Sequence, residues 1–138
     1  MNPRELYAEL VAGGHTLAIH NGGKTRFFNG HGIADLHRIL TTAPALLKGS
    51  TVADKIVGKG AAALMISGGV KLLYTAIISQ GALSLIDGSE ITADYGEAVD
   101  HIINRAGSGW CPVERLCRDS TTADECLALI DNFVNHLK

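Results

Sequence analysis

Residues 71–78, KLLYTAII, constrain the fold more than any other part of this chain. The run is almost unbroken in its apolar character and closes on β-branched residues, which is the signature of a central strand covered on both faces. A strand of that kind needs helices on both sides. Residues 51–66 are expected to form one of them. The segment opens with a capping-box pattern, Thr51-Val52-Ala53-Asp54. Its body, IVGKGAAAL, is small and apolar nearly all round, as in a helix packed close against a sheet. Gly68-Gly69 closes it.

The other elements read in the same way. Leu6, Leu10 and Val11, with Tyr7 beside them, mark a first helix between Pro3 and Gly13-Gly14. Residues 15–20 alternate as a strand, and Asn21-Gly22-Gly23 turns the chain into 24–28 as a β-hairpin. Ile33, Leu36, His37 and Leu40 share the face of a short helix, and Pro44 and Gly49 bound a connection. After the central strand come a loop at 79–81, a short helix at 82–86 and a short strand at 91–95. Residues 99–104 fit either strand or helix, and 105–110 form a glycine-bearing loop. The last helix starts near Thr122, with Cys126, Leu127, Leu129, Ile130, Phe133, Val134 and Leu137 as its apolar face. The order α-β-β-α-α-β-α-β-α predicts an α/β fold, a mixed sheet with helices on both sides, as a single domain over residues 1–138.

Composition narrows the function classes. The chain has 138 residues, 46% of them hydrophobic but only 5% aromatic, so the core is aliphatic. A net charge of -2 without a Lys/Arg cluster argues against nucleic acid as a partner. No apolar run reaches the ~20 residues of a membrane span. Three widely spaced cysteines, 111, 117 and 126, do not make a disulfide framework. With no signal peptide read at the start, they predict a reducing cytoplasm.

Chemistry concentrates at Trp110-Cys111-Pro112-Val113-Glu114. Proline favours the first helical position, so Cys111 is expected at the N-cap and Glu114 on the first turn, in the positive field of the helix start. Cys111 is a candidate nucleophile, redox thiol or ligand, or a small residue that caps a helix. Glu114 is a candidate acid/base, or the closing member of a capping box. Asp54 has the same two readings at its own expected helix start. Lys55 and Lys59 lie one turn apart, and Lys59, among small apolar residues, must reach solvent or find an anion such as Asp54 or Glu114. Trp110 is a pocket wall or a loop anchor. Cys117 and Cys126 read as core. His20, His31 and His37 lack ligand spacing and read as scattered surface residues. No phosphate-binding glycine loop and no nucleophile elbow is found.

Three segments occur in an order that resembles a known family. They are Asp54-Lys55-Ile56-Val57-Gly58-Lys59-Gly60-Ala61-Ala62, then Thr75-Ala76-Ile77-Ile78 followed by Ser79-Gln80-Gly81-Ala82, then Asn104-Arg105 ahead of Cys111-Pro112-Val113-Glu114. Over roughly residues 14–118 the chain resembles a small prokaryotic family of unknown function grouped with the cytidine deaminase-like superfamily. The resemblance implies a three-layer α/β/α sandwich in which two helix starts face each other at the sheet edge. In zinc deaminases those starts carry a His- or Cys-Ala-Glu motif and a Pro-Cys-x-x-Cys motif. Here no His-x-Glu occurs, and Cys111-Pro112-Val113-Glu114 stands where Pro-Cys-x-x-Cys would. The expectation is therefore a deaminase-like domain without the zinc signature and with no cofactor. It binds a small polar or anionic, nucleotide-like ligand between the Asp54 and Cys111 helix starts. Cys111, Glu114 and Asp54 are the catalytic candidates, and Lys55, Lys59 and Trp110 the ligand-binding ones. The other readings are a thiol- or metal-dependent hydrolase or transferase using Cys111, and a non-catalytic homodimeric interaction module.

Overall fold

A computed structural model describes residues 1–136. Leu137, counted above into the last helix, lies outside the described residues. Helix α1, Pro3–Ala12, has Pro3 in its first turn and Asn2 as its N-cap, the Asn2 side chain accepting the Glu5 N–H. Strands β1 (Leu17–Asn21) and β2 (Lys24–Phe28) form the expected hairpin. Gly22 and Gly23 supply the positive φ angles, 59° and 76°, that such a tight turn requires. Helix α2, Ala34–Thr42, and a single 3-10 turn at Pro44–Leu46 lead into the next strand.

The expected helix at 51–66 is divided, and this is the main correction to the sequence reading. Thr51–Val57 is strand β3, and helix α3 begins only at Lys59 and runs to Gly68. Thr51, Val52, Ile56 and Val57 are β-branched and fit a pleated surface. β3 lies between β1, with which it pairs antiparallel, and β4 (Leu72–Ser79), with which it pairs parallel. Gly58, extended at φ -94° and ψ -178°, turns the strand into the helix. Asp54 is therefore a mid-strand residue and not a helix-cap residue.

Helix α4 (Gln80–Asp87) and strand β5 (Thr92–Val99) follow. β5 is longer than expected, and residues 99–104 contribute the end of β5, a bend and, at Ile103, one bridge to Trp110. Helix α5 is Pro112–Cys117 and helix α6 is Ala123–His136. The five-stranded mixed sheet has the order β2-β1-β3-β4-β5, with β3, β4 and β5 parallel. Leu6 and Leu10 of α1 bury Ala18 and Ala53 on one face, and α2, α3, α4 and α6 contribute to the larger aliphatic core on the other. The apolar run at 71–78 is strand β4 from Leu72 onward, with Leu73, Thr75 and Ile78 buried, Leu72, Tyr74, Ala76 and Ile77 half-buried, and Lys71 exposed.

One row of the parallel ladders is skipped. Asp54, Thr75 and Tyr95 are in register, as are Ile56, Ile77 and Glu97, but the row between them, residues 55, 76 and 96, is unpaired in both ladders. Burial changes phase across this row. Val52 and Val57, five residues apart, both enter the same core cluster, which a uniform alternation would forbid. Ile56 is left 49% exposed.

Candidate functional site

Open parallel sheets place ligands beyond the carboxyl ends of their strands. In this chain the ends of β3, β4 and β5 converge on Glu114. Its Oε1 accepts the backbone N–H of Lys59 at 2.9 Å and the Ser79 hydroxyl at 3.2 Å, and its Oε2 accepts the Ile102 N–H at 2.7 Å. Each donor belongs to a different part of the chain. Lys59 opens α3, Ser79 caps α4 while its Oγ also accepts the Ala82 N–H, and Ile102 follows β5. Glu114 as a whole is 4% exposed. Two helix N-termini present partial positive charge to it. Gly58 permits the close approach, since a Cβ there would lie 3.1 Å from Ile102 Cγ1 and 3.3 Å from Glu114 Oε2.

Cys111 and Pro112 occupy the N-cap and first position of α5, as their sequence requires. Glu114 is on the first turn but does not close a capping box. Its side chain reaches across to the other elements. Cys111 is half-buried, and its thiol makes no cap hydrogen bond. Its N–H donates to Ile102 O at 2.8 Å, and Ile103 and Trp110 form an antiparallel bridge, so residues 102–111 are a narrow hairpin tipped by Gly107. Trp110 stacks on His101 with ring centroids 4.1 Å apart and planes 5° from parallel, and the Arg118 guanidinium lies 5.8 Å from the indole centroid. This stack lies on the Ile103 side of the hairpin. Alternation puts Cys111 on the other side with Ile102, so His101 is not aimed at the thiol.

Lys59 is 8% exposed. The sequence asks it to reach solvent or find an anion, and it does neither. Its ammonium instead donates to Arg118 O at 3.1 Å and to Ser120 O, satisfying carbonyls at the end of α5. Its stem crosses Gly81, where a Cβ would lie 3.1 Å from Lys59 Cδ. Only its backbone meets Glu114. At the next residue, a Cβ on Gly60 would collide with Val113 Cγ1 and lie 3.7 Å from Ile33 Cγ2, so apolar side chains cover the α3 start.

Asp54 and Lys55 sit apart from this group. Lys55 is exposed on β3. Asp54 pairs in register with Leu17 and Thr75. Burial pushes its carboxyl up to about 8, against the Ile56 and Lys55 N–H groups that favour the charged form, and with the Asp35 carboxylate adding to the rise. The structure thus joins Glu114 and Lys59, carries Cys111 and Trp110 on the adjoining hairpin, and leaves Asp54 and Lys55 on the sheet. Ser79 and the Ile102 N–H were missed. A serine directly after an apolar strand and three residues before Ala82 carries an N-cap signal that could have marked the first. The second is a backbone group with no sequence signal.

Among the described residues no three His, Cys, Asp or Glu side chains gather as a metal ion would need. No described helix is long and apolar enough to cross a membrane. Hollows of about 520 Å³ beside Leu116, Ser120 and Glu125 and about 250 Å³ beside Leu83, Asp87 and Ile91 are lined by neither Glu114 nor Cys111. Cys117 and Cys126 are fully buried, as expected of core residues. The neighbouring Cys126 and burial together push the Cys117 thiol up, above the ordinary thiol range. Burial therefore decides thiol access. A maleimide at neutral pH is expected to label Cys111 alone in the native protein, and Cys117 and Cys126 only after denaturation, as read by peptide mass mapping.

No curated protein matches the chain. Among solved structures it is similar to a DUF1893 family protein, TM1506, from Thermotoga maritima, with 22% identity and a TM-score of 0.84. That likeness covers 94% of this chain and 87% of the other and bears on the fold alone. The family model for TM1506, a domain of unknown function (DUF1893), matches residues 5–134. The chain belongs to the DUF1893 family.

Proposed function

We propose that this domain binds a small polar or anionic ligand at the carboxyl ends of β3, β4 and β5, on a cytidine deaminase-like plan without zinc chemistry. The observation that carries this reading is the convergence of the Lys59 N–H, the Ile102 N–H and the Ser79 hydroxyl on one carboxylate. These donors already hold an oxyanion, and it is borne by a helix of only six residues. A ligand carboxylate or phosphate takes the Lys59 N–H and the Ser79 hydroxyl when α5 and the 102–111 hairpin swing outward. Cys111 and Trp110 then rim the opening. The deaminase-like plan is supported by the β2-β1-β3-β4-β5 order, with a hairpin at one edge and helices that start directly after β3 and β4. His-x-Glu and Pro-Cys-x-x-Cys are absent from the sequence, so the reading assigns no deamination.

Trp110 is the only tryptophan and stands on the moving hairpin, so its emission reports the opening. The test titrates the full chain with acetate, inorganic phosphate and a nucleoside monophosphate, with native mass spectrometry of the freshly purified protein alongside. The expected result is a saturable change in Trp110 emission and a higher Tm with at least one of them, or a co-purifying small molecule. Silence of all the probes together with a bare native mass overturns the reading.

A further inference from the structure

We infer that the free edge of β5 is a docking strand for an extended, lysine- or arginine-bearing segment of another protein, which pairs with it as a sixth strand. β5 ends the sheet, pairs only with β4, and is exposed along most of its eight residues. The Thr92 N–H donates inward to Lys71 O at 2.9 Å. Alternation therefore turns the Ala93 and Tyr95 N–H groups outward. Of these, Tyr95 N–H is held by the side chain of its neighbour Asp94, at 3.0 Å. An open edge of this length invites another strand, and natural sheets blunt such edges with charged side chains, above all lysine, and with proline or bulges, whereas the exposed charges on β5 itself are the carboxylates of Asp94 and Glu97. Residues 72–104 contain no Lys, Arg or Pro.

Charge selects the occupant. Asp87, Glu90, Asp94, Glu97 and Asp100 are all exposed along this edge. Among the described residues the Arg4 Nε contacts Asp94 Oδ2 at 2.6 Å and the His101 ring contacts Asp100 Oδ2 at 2.9 Å, and Asp87, Glu90 and Glu97 form no ion pair. A second copy is disfavoured, because β5 has no cation and antiparallel pairing about its centre sets Asp94 against Glu97 of the other copy. The same acidity repels nucleic acid and anionic lipid. A basic extended peptide satisfies the backbone groups and the carboxylates at once, which is strand addition with charge complementarity.

The test uses the full chain and a short peptide alternating lysine with threonine and valine, together with its twin N-methylated at every second residue. The twin keeps the charge but cannot complete a ladder. The expected result is binding of the first peptide with slowed hydrogen exchange at residues 93–97, binding of the twin weaker by about tenfold or more, and a similar loss in Asp94→Asn/Glu97→Gln. Equal binding of both peptides without protection of β5 shows plain charge attraction and overturns the inference, as does no binding at all. Both carboxylates are exposed, so the double variant leaves the core whole, and its Tm checks this directly.

Discussion

Glu114→Ala is expected to destabilise the protein by about 3–5 kcal/mol, because it leaves buried donors without an acceptor at the meeting point of α3, α4 and the 102–111 hairpin. For a domain of this size the loss lowers Tm by about 10 °C or more. Glu114→Gln keeps one acceptor oxygen but turns an amide NH2 toward a donor, so it loses roughly half as much. Ser79→Ala removes both the hydroxyl donor to Glu114 and the cap acceptor of the Ala82 N–H, and costs about 2 kcal/mol. The two sites share a hydrogen bond, and a double-mutant cycle is therefore expected to show coupling. The diagnostic step is rescue. Formate fits the space a removed carboxylate leaves, and at roughly tens of millimolar it is expected to return part of the lost Tm to Glu114→Ala while leaving the wild type unmoved. Chloride at equal ionic strength serves as the control. Full stability of Glu114→Ala, or equal rescue by chloride, contradicts the anion-holding role given to this cradle.

The rescue also bears on how the site arose in the sequence. Cys111-Pro112 was legible as a helix start because proline's fixed φ and missing N–H are local properties, and they hold wherever the helix packs. The hairpin at 21–23 and the strand at 71–78 were legible for the same kind of reason. β3 was not. Thr51-Val52-Ala53-Asp54 has the spacing of a capping box, and the small residues from Gly60 onward do form a helix, so the pattern continued smoothly across a real break at Gly58. What makes 51–57 a strand is its place between β1 and β4, which are brought together from distant parts of the chain. β5 was cut short because an exposed edge strand, TADYGEAV, has no apolar face to reveal it. At the site itself, Glu114 and Lys59 were singled out for the charges on their side chains. The contact that joins them is a backbone N–H, and the Lys59 ammonium serves carbonyls elsewhere. Side-chain chemistry marks which residues are unusual, whereas the fold decides which of their atoms meet.

Asp54 carries the second large expectation, and its sign follows from the direction of its shift. Its carboxyl is raised in the fold to about 8 from an ordinary 3.8. Between those values the unfolded chain has released the proton while the fold still holds it, so stability falls as pH rises through that window. Below the window both states are protonated, and above it both are ionised, so the cost is absent at pH 3 and complete near pH 9. Asp54→Asn keeps an acceptor for the Ile56 and Lys55 N–H groups without the ionisation. It is expected to match the wild type near pH 3 and to be more stable by about 2–4 kcal/mol at pH 8, with the gap widening steadily between. Asp35→Asn removes a neighbouring negative charge and should move the midpoint of the Asp54 slope toward lower pH. Urea unfolding midpoints measured from pH 3 to pH 9 read both effects. A parallel pair of curves for wild type and Asp54→Asn would mean that Asp54 ionises in the fold much as it does in water. A widening gap would mean that the centre of this sheet holds a neutral carboxylic acid at physiological pH, three residues before the strand reaches the end where the Glu114 cradle begins.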